Sequence, residues 1–341
     1  MNCNFLKNSL HIDINGNVFP CTVTTSSSGA RLGNIYDTTL EEIYNNRSKD
    51  YECKDFCQRC LRYEKSFKNW NTLDQDFYFL DIRFDNICNF MCRTCSGENS
   101  IAFKKENTLV TEKNIISQLY KNFAFINKFK RIYIGGGEPF LSPSLNTFIE
   151  MLSKDKTILI SSNISVLKQD LIEILKQFKK VIFYPSIDGI EEVGEYIRHG
   201  FNDRVFFKNL SILLSSFECI PVITVSALNI LSLNKTIKKL SEYIDINSIY
   251  INILDYPSEF HVSVLPSYFK ELYNIRINKI KSGLNQYFFT DAPYNLFYGL
   301  KNLEKALLVS NSLDFNKTKQ TLNNIDIKRN QSYEVLFGGK I

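Results

Sequence analysis

The chain has 341 residues, enough to bury a substantial core in one large domain with a smaller one beside it. Its net charge of +5 is modest and its lysines are interspersed with acidic residues, which gives little support to nucleic-acid binding. No apolar run is long enough to cross a membrane and the N-terminus is no signal sequence, so we predict a soluble cytoplasmic protein with no membrane partner. Nine cysteines in a reducing compartment indicate metal chemistry, because disulfides are rare there.

The first predicted elements are two short strands joined by a turn at Asn15-Gly16. Such a hairpin is expected to hold Cys3 and Cys21 at its ends, near each other in space. A helix follows, with Thr38 or Thr39 as its N-cap. The two cysteines and the turn predict that this region organises a metal site.

A C-x2-C pair, Cys57 and Cys60, is well placed to complete four thiolate ligands with the two cysteines of the hairpin. Four thiolates also suit a closed tetrahedral zinc site, so zinc and an iron–sulfur cluster are both open for this region. We predict that residues 1–75 form a small N-terminal metal-binding domain.

Residues 76–255 alternate short apolar strands with helical stretches, which predicts an α/β core with a parallel sheet and right-handed crossovers. The six βα units are too few for a closed eight-stranded barrel, so we expect a partial (βα)6 TIM-type barrel or a doubly wound sheet. In both, the chemistry belongs at the C-terminal ends of the strands. The predicted strands are 77–83, 131–134, 157–161, 181–186, 220–226 and 248–253, and the predicted helices are 115–123, 145–152, 167–178, 206–214 and 237–243.

Three cysteines, Cys88, Cys92 and Cys95, follow the first of these strands with the spacing C-x3-C-x2-C. Three thiolates this close can hold one [4Fe–4S] cluster and leave its fourth iron open for another ligand. An open position is typical of a reactive metal site, whereas a structural zinc site takes a fourth cysteine or histidine nearby. The three histidines lie elsewhere in the sequence, so we predict a reactive cluster at this triplet.

The next predicted strand ends in Gly135-Gly136-Gly137-Glu138-Pro139. Glycines at a strand end let the backbone approach a ligand closely, with its N–H and C=O groups exposed. Alone, this segment could be a plain glycine-rich turn. Beside the cysteine loop, at the same edge of the sheet, it predicts a cofactor site that includes Glu138.

The cysteine triplet and the segment Gly136-Gly137-Glu138-Pro139 together resemble the radical S-adenosylmethionine (radical SAM) superfamily over roughly residues 76–255. The resemblance implies a [4Fe–4S] cluster on the three cysteines, with its open iron chelated by the methionine part of SAM and the glycine segment against the methionine amino group. It also implies cleavage of SAM to a 5′-deoxyadenosyl radical that abstracts hydrogen from a substrate, with a flavodoxin or ferredoxin as electron donor.

Segments at later strand ends supply further candidate contacts to SAM. Ser162 and Asn163 end the third strand and could hydrogen-bond the ribose, although a plain turn is an equally good interpretation. Ser186, Asp188 and Arg198 lie in segments that resemble later strand ends of the peptide-modifying branches. Asp188 and Arg198 could contact the SAM carboxylate or the substrate, or they could form a solvated ion pair in a loop.

The N-terminal pattern C-x12-G-x4-C followed by C-x2-C resembles the twitch type of SPASM auxiliary-cluster domain, which usually follows the barrel and here precedes it. The resemblance implies a second [4Fe–4S] cluster, with Cys3, Cys21, Cys57 and Cys60 as favoured ligands and Cys53 as the spare cysteine. Cys53, Cys57 and Cys60 repeat the spacing of the main triplet, but no predicted strand precedes them. Context therefore assigns the SAM cluster to the later triplet.

The C-terminal residues 256–341 are predicted to be a mostly helical extension, with helices at 268–280 and 295–310. They could cover the open side of the barrel or form the substrate pocket. By resemblance, the expected reaction is oxidative modification of a peptide or protein side chain, with the auxiliary cluster as a possible electron acceptor. The alternatives are dehydrogenation of a small molecule such as a sugar or aminoglycoside, and a non-catalytic interaction protein that binds a metal cluster.

Overall fold

The computed structural model describes residues 4–24, 28–47, 77–106, 108–282, 284, 296–308 and 315–336. The strands are β1 (Ser9–Ile12), β2 (Asn17–Phe19), β3 (Gly33–Asn34), β4 (Phe79–Arg83), β5 (Met91–Cys92), β6 (Arg131–Gly135), β7 (Thr157–Ser162), β8 (Lys180–Pro185), β9 (Arg198–His199), β10 (Glu218–Cys219), β11 (Val222–Val225) and β12 (Tyr250–Ile253). The α-helices are α1 (Asn4–Asn8), α2 (Leu40–Asn46), α3 (Ile116–Lys121), α4 (Phe123–Ile126), α5 (Leu145–Met151), α6 (Gln169–Leu175), α7 (Glu191–Ile197), α8 (Asp203–Leu214), α9 (Leu233–Leu240), α10 (Ser267–Ser282), α11 (Leu296–Leu308) and α12 (Phe315–Arg329). Within these residues, no helix is long and apolar enough to cross a membrane.

A largely parallel sheet forms the centre of the molecule, with its strands in the order β10–β8–β7–β6–β4–β1–β2–β3. The neighbours from β4 to β10 pair in parallel, and helices connect the longer strands. β11 and β12 form another parallel pair, which a parallel bridge between Ser186 and Val222 joins to the end of β8. The strands thus form an open arc, and the predicted partial α/β barrel is confirmed.

The two faces of the barrel strands differ in chemistry, because successive residues of a strand point to opposite sides. Leu80 and Ile82 of β4 are fully buried in the core that the strands share with the helices. The residues between and after them, Asp81 and Arg83, lie on the other, concave side of the arc, together with Tyr133 of β6. The inside of the open barrel is therefore partly polar, with Leu159 and Ile182 as apolar residues in register with Tyr133.

The predicted N-terminal hairpin is confirmed, and it joins the central sheet. β1 and β2 pair antiparallel around a turn in which Gly16 has a φ of +77°, a conformation that favours glycine. β1 also pairs in parallel with β4, which places His11 opposite Asp81 with 3.0 Å between their side chains. Thr39, one of the two predicted caps, accepts a hydrogen bond from the N–H of Glu42 and begins α2. The hairpin is thus an extension of the barrel sheet.

The predicted strand at 220–226 is divided in the structure into β10 and β11. Pro221 lies between them and has no N–H to donate, so a continuous ladder cannot pass through it. β10 therefore stays on β8, whereas β11 pairs with β12. The break turns the sheet at this point and gives the barrel its curvature there.

Two of the C-terminal helices follow the predicted pattern and one was missed. α10 and α11 correspond to the helices predicted at 268–280 and 295–310. α12 was not predicted, and the residues that it buries explain why: they are Thr318, Leu322 and Asp326, spaced by four. Two of these three are polar, so the helix has no apolar stripe that a sequence pattern could reveal.

Candidate functional site

The cysteine-bearing loop leaves the C-terminal end of β4 and is closed on itself by Asn86, which is fully buried. The side-chain amide of Asn86 donates to the carbonyls of Glu98 and Thr111 at 3.1 and 2.9 Å. Its side-chain oxygen accepts from the N–H of Lys113 at 2.9 Å. Sequence reasoning missed Asn86, because a single polar residue ahead of a cysteine carries no periodic signal.

The loop brings Cys88, Cys92 and Cys95 near one another. Cys92 lies on β5 and is paired with Arg198 of β9, and the N–H of Cys95 donates to the Cys92 carbonyl at 3.0 Å. Burial raises the pKa of the Cys92 thiol to about 12 and that of the Cys95 thiol to about 11. A metal that binds here must therefore displace protons from the thiols.

The donors of this loop fit an iron–sulfur cluster better than a single metal ion. Within the described ranges, no three Cys, His, Asp or Glu side chains are placed to hold one ion. Thiolates around a cubane bind separate irons, so they stand farther apart than thiolates on one zinc. The Arg198 guanidinium lies close enough to oppose the effect of burial on the pKa of Cys88 and Cys92. A buried cation thus lies beside the thiol donors and would offset the negative charge of their thiolates.

The glycine-rich end of β6 packs directly on the backbone of the cysteine loop. The N–H of Gly137 donates to the Asp85 carbonyl at 2.9 Å, and that of Glu138 donates to the Ile87 carbonyl at 2.7 Å. A Cβ on Gly137 would lie 2.3 Å from the Ile87 oxygen, and one on Gly136 would lie 2.6 Å from the Asp85 oxygen. Gly136 also has a φ of +124°. The two sequence signals therefore belong to one site, in which the glycines make room for the loop.

The third glycine of this segment makes room for an arginine on the concave face. A Cβ on Gly135 would lie 2.2 Å from Nη1 of Arg83, whose Nη2 donates to Oδ2 of Asp81 at 3.0 Å. The same carboxylate oxygen lies 3.0 Å from Nδ1 of His11 and accepts from the Thr22 hydroxyl at 2.5 Å. Burial raises the pKa of Asp81, but Arg83 and His11 outweigh it and hold the pKa well below its usual range. These contacts fix the hairpin on the barrel.

The side chain of Glu138 is buried and points toward the end of β7. Its Oε1 accepts from the Ser162 hydroxyl at 2.7 Å and the Phe140 N–H at 3.1 Å, and its Oε2 accepts from the Asn163 N–H at 2.6 Å. The side-chain amide of Asn163 lies 4.0 Å from the Cys88 thiol. The three residues therefore form one unit beside the cysteines. The ribose contact of Ser162 and Asn163 stays a prediction.

In the metal-free protein, the stability is expected to depend on pH through Glu138, because burial raises its pKa from 4.5 to about 6 although its hydrogen bonds oppose the shift. The folded state then binds the proton more tightly, so stability is lost as the pH rises from about 4.5 to about 7, by roughly 2 kcal/mol. Urea unfolding across this range measures the loss. The control is Glu138→Gln, which cannot titrate and should lack this slope, although its altered hydrogen bonds also change its stability at every pH. Parallel pH profiles for the two proteins would contradict the expectation.

Asp188 and Arg198 form an ion pair, but both residues are buried, whereas the loop alternative predicts a solvated pair. Nη1 of Arg198 lies 3.5 Å from Oδ2 of Asp188, whose Oδ1 accepts from the Thr224 N–H at 3.0 Å. Asn229 adds a hydrogen bond from its side-chain amide to the Asp188 carbonyl at 2.8 Å. Ser186 forms the bridge at the junction of the two parallel sheets. The pair thus links β9, with its cysteine neighbour, to the far side of the barrel.

The N-terminal ligand set is described at one position. Cys21 is buried at the end of the hairpin, just after β2. Cys3, Cys53, Cys57 and Cys60 lie outside the described residues. The proposed set of four ligands, and the place of the spare cysteine, therefore stay predictions.

A further group that sequence reasoning missed lies on α12, behind the cysteine loop. Arg93, between the second and third cysteines, donates from Nη2 to Oδ1 of Asp326 at 2.5 Å across 233 positions of sequence. Arg329 donates from Nη1 to the Met91 carbonyl at 2.8 Å. Such contacts join residues that are distant in the sequence, so no local sequence pattern predicts them.

Two family models match the chain. Residues 82–225 match the model of the radical SAM superfamily, and residues 3–68 match the SPASM model, described as an iron–sulfur cluster-binding domain. No curated protein matches the chain. The first match covers β4 to β11 with the cysteine loop and the glycine segment, and the second covers the hairpin with Cys21.

Several solved structures are similar to this chain. Native anSMEcpe with bound AdoMet has 14% sequence identity and a TM-score of 0.45, over 60% of this chain and 62% of that one. SuiB of Streptococcus suis bound to S-adenosylmethionine has 15% identity and a TM-score of 0.41, over 70% of this chain and 52% of that one. SuiB bound to its precursor peptide SuiA has 13% identity and a TM-score of 0.42, over 70% and 55%. The match therefore spans less than two thirds of each of these proteins.

Proposed function

We propose that this chain, which carries a radical SAM domain at residues 82–225 and an iron–sulfur cluster-binding SPASM domain at residues 3–68, is a radical SAM enzyme that oxidatively modifies a peptide or protein side chain. The observation that carries the proposal is the docking of the three-cysteine loop on the glycine-rich end of β6. This contact lies at the C-terminal edge of an open parallel barrel, where α/β folds bind their ligands.

The first family match implies a [4Fe–4S] cluster and SAM as cofactors. Cys88, Cys92 and Cys95 would hold this cluster, in keeping with their thiol donors and the buried cation beside them. The chemistry supplied there is one-electron reductive cleavage of the SAM sulfonium, which gives a 5′-deoxyadenosyl radical. We propose a flavodoxin or ferredoxin as the electron donor.

The residues around the cysteines suit the methionine part of SAM. At neutral pH Glu138 is mostly ionised, because its pKa is about 6, and its carboxylate accepts three hydrogen bonds from the protein. A carboxylate has about four acceptor positions, so one remains for an ammonium group. Arg198 offsets the negative charge of the thiolates and can donate to a carboxylate. We assign Ser162, Asn163, Ser186 and Asp188, with the segment from Gly135 to Pro139, to the same site.

The second family match implies a further iron–sulfur cluster, which favours iron over zinc for the N-terminal site. We propose Cys3, Cys21, Cys57 and Cys60 as its ligands. Four thiolates would leave no open iron, so this cluster is suited to accept an electron from an oxidised substrate. The net reaction would then be an oxidation.

The concave face of the barrel is suited to a substrate that makes hydrogen bonds. Arg83, Tyr133, Ser161 and Tyr184 all lie on it and are partly exposed. Their guanidinium and hydroxyl groups can bind amide carbonyls or carboxylates, and the aromatic rings of the two tyrosines are 5.8 Å apart. We propose a polypeptide as the substrate class.

The proposal is tested by loading the protein with iron and sulfide without oxygen, reducing it with dithionite and measuring 5′-deoxyadenosine formed from SAM. The expected result is brown protein with about eight irons in two cubanes and product that depends on the reductant. The control is zinc-loaded protein in the same buffer. Brown, fully loaded protein that forms no more 5′-deoxyadenosine than this control would refute the assignment.

A further inference from the structure

The C-terminal helix α12 lies in neither of the family matches, yet it contacts the loop that carries the cysteines. Two anchors on the buried face of α12 hold it to the barrel without touching this loop. The Thr318 hydroxyl donates to the Glu259 carbonyl at 2.6 Å, and Leu322 joins a small apolar cluster with Ile197 and Phe260. These two contacts hold α12 on the barrel independently of its last turn.

The last turn of α12 contacts the residue between two of the cysteines. The Arg93 side chain is completely buried, and its Nη2 donates to Oδ1 of Asp326 at 2.5 Å and to Oε1 of Gln331 at 3.1 Å. Its guanidinium stacks on the ring of Tyr196, 3.6 Å from the ring centre. The Tyr196 hydroxyl in turn donates to Oδ2 of Asp326 at 3.0 Å. Asp326 therefore holds Arg93 and the tyrosine beneath it with its two oxygens.

The same turn also holds the residue on the other side of Cys92. Arg329 donates from Nη1 to the Met91 carbonyl at 2.8 Å and from Nε to Oε1 of Glu106 at 2.5 Å. On its opposite side, the N–H of Arg93 donates to the Ile197 carbonyl at 2.8 Å. The short strand β5 is therefore fixed between β9 and α12 by its backbone and by its side chains.

A helix that needed only to dock would not require this carboxylate. Removing charges from water is costly, and apolar residues of similar size often stabilise a protein as well as a buried ion pair does. Buried ion pairs are of use where one arrangement has to be chosen among several. Here the chosen arrangement is the register of β5 against β9, and β9 carries Arg198, the cation beside the thiols.

We propose that Asp326 is a positioning residue for the radical SAM site: through Arg93 and Tyr196 it fixes Cys92 and Cys95 relative to β9 and so sets how the cluster meets SAM. The inference rests on the proposed function. It assigns to the C-terminal extension a role in the reaction itself, in addition to any cover that it gives to the barrel.

The test compares two variants of one helix in the reconstituted, reduced, full-length protein. Asp326→Asn keeps the size of the side chain and removes its charge, whereas Thr318→Val removes a buried hydroxyl of α12 that does not touch the loop. SAM is titrated into each protein, and the change in the electron paramagnetic resonance signal of the cluster is recorded. Iron content and melting temperature are measured for the same samples. Tyr196→Phe is a milder third variant, because it removes only the hydroxyl that donates to Asp326.

Asp326→Asn is expected to keep its iron, because all three thiols remain, but to need about tenfold more SAM for half of the spectral change, because Arg93 no longer fixes the position of Cys92; tenfold is the lower end of the effect of residues that orient metal ligands. Thr318→Val is expected to lower the melting temperature, but its SAM concentration for half of the spectral change should stay within about twofold of that of the parent. For Tyr196→Phe this SAM concentration is expected to rise, as for Asp326→Asn, by a smaller factor. Equal SAM dependence in the Asp326 and Thr318 variants would overturn this inference and leave the proposed function standing. If Asp326→Asn fails to fold, a Tyr196→Phe protein with the SAM dependence of the parent would do the same. A parent whose signal does not respond to SAM would overturn the proposed function as well.

Discussion

Replacing Cys92 with alanine is expected to reduce 5′-deoxyadenosine formation to the level of the unreduced protein and to lower the iron content by about four atoms per chain. The reason is that Cys92 is one of the three proposed thiolate ligands and lies on β5 beside Arg198, so its loss would leave the cluster with two of them. Iron and sulfide analysis and product formation check both parts.

The matched control for this variant is Cys219→Ala. Cys219 is buried and lies on β10 at the end of the sheet, among apolar side chains. It should therefore keep the iron and the activity of the parent. A Cys92→Ala protein that still cleaves SAM would move the reactive cluster to the N-terminal cysteines, which repeat the same spacing at Cys53, Cys57 and Cys60.

Replacing Gly137 with alanine is expected to destabilise the metal-free protein by about 3 kcal/mol and to prevent the main cluster from assembling. The added Cβ would lie 2.3 Å from the Ile87 oxygen and 2.8 Å from the Asn86 carbonyl carbon. Both atoms belong to the backbone of the cysteine loop, which cannot move without losing the two hydrogen bonds that Gly137 and Glu138 donate to it. Urea unfolding and iron content are the measurements.

Gly33→Ala is the control for this effect of added volume. Its Cβ would meet the end of the Ile43 side chain at 3.1 Å, and a side-chain terminus can shift where a backbone cannot. A cost below about 1 kcal/mol is expected for it. Equal losses of stability and of iron in the two variants would show that the contact between the glycine segment and the cysteine loop has no special importance.

The sequence was informative wherever a signal is local. The alternation of short runs rich in apolar, β-branched or aromatic residues with helical stretches predicted the strands of the barrel. The turn at Gly16 and the cap at Thr39 follow from backbone chemistry that needs no distant partner. The cysteine spacing and the glycine segment could be recognised for the same reason.

The features that could not be predicted depend on contacts between distant residues. The parallel pairing of β1 with β4, which places His11 beside Asp81, joins segments about seventy positions apart. α12 was missed because its buried face includes Thr318 and Asp326, whose partners lie elsewhere in the chain. The periodicity of a sequence does not predict which distant residue a buried polar side chain will contact.

The pairing of the hairpin with the barrel also determines which strand edges of the sheet are open. β4 would be a five-residue edge strand without β1, and an unpaired edge of that length is a template for association with other chains. With the hairpin in place, the sheet formed by the described residues ends at β3 on one side and at β10 on the other, each two residues long. The segment that carries Cys21 thus also covers the edge of β4, and a barrel prepared without it is expected to associate with itself.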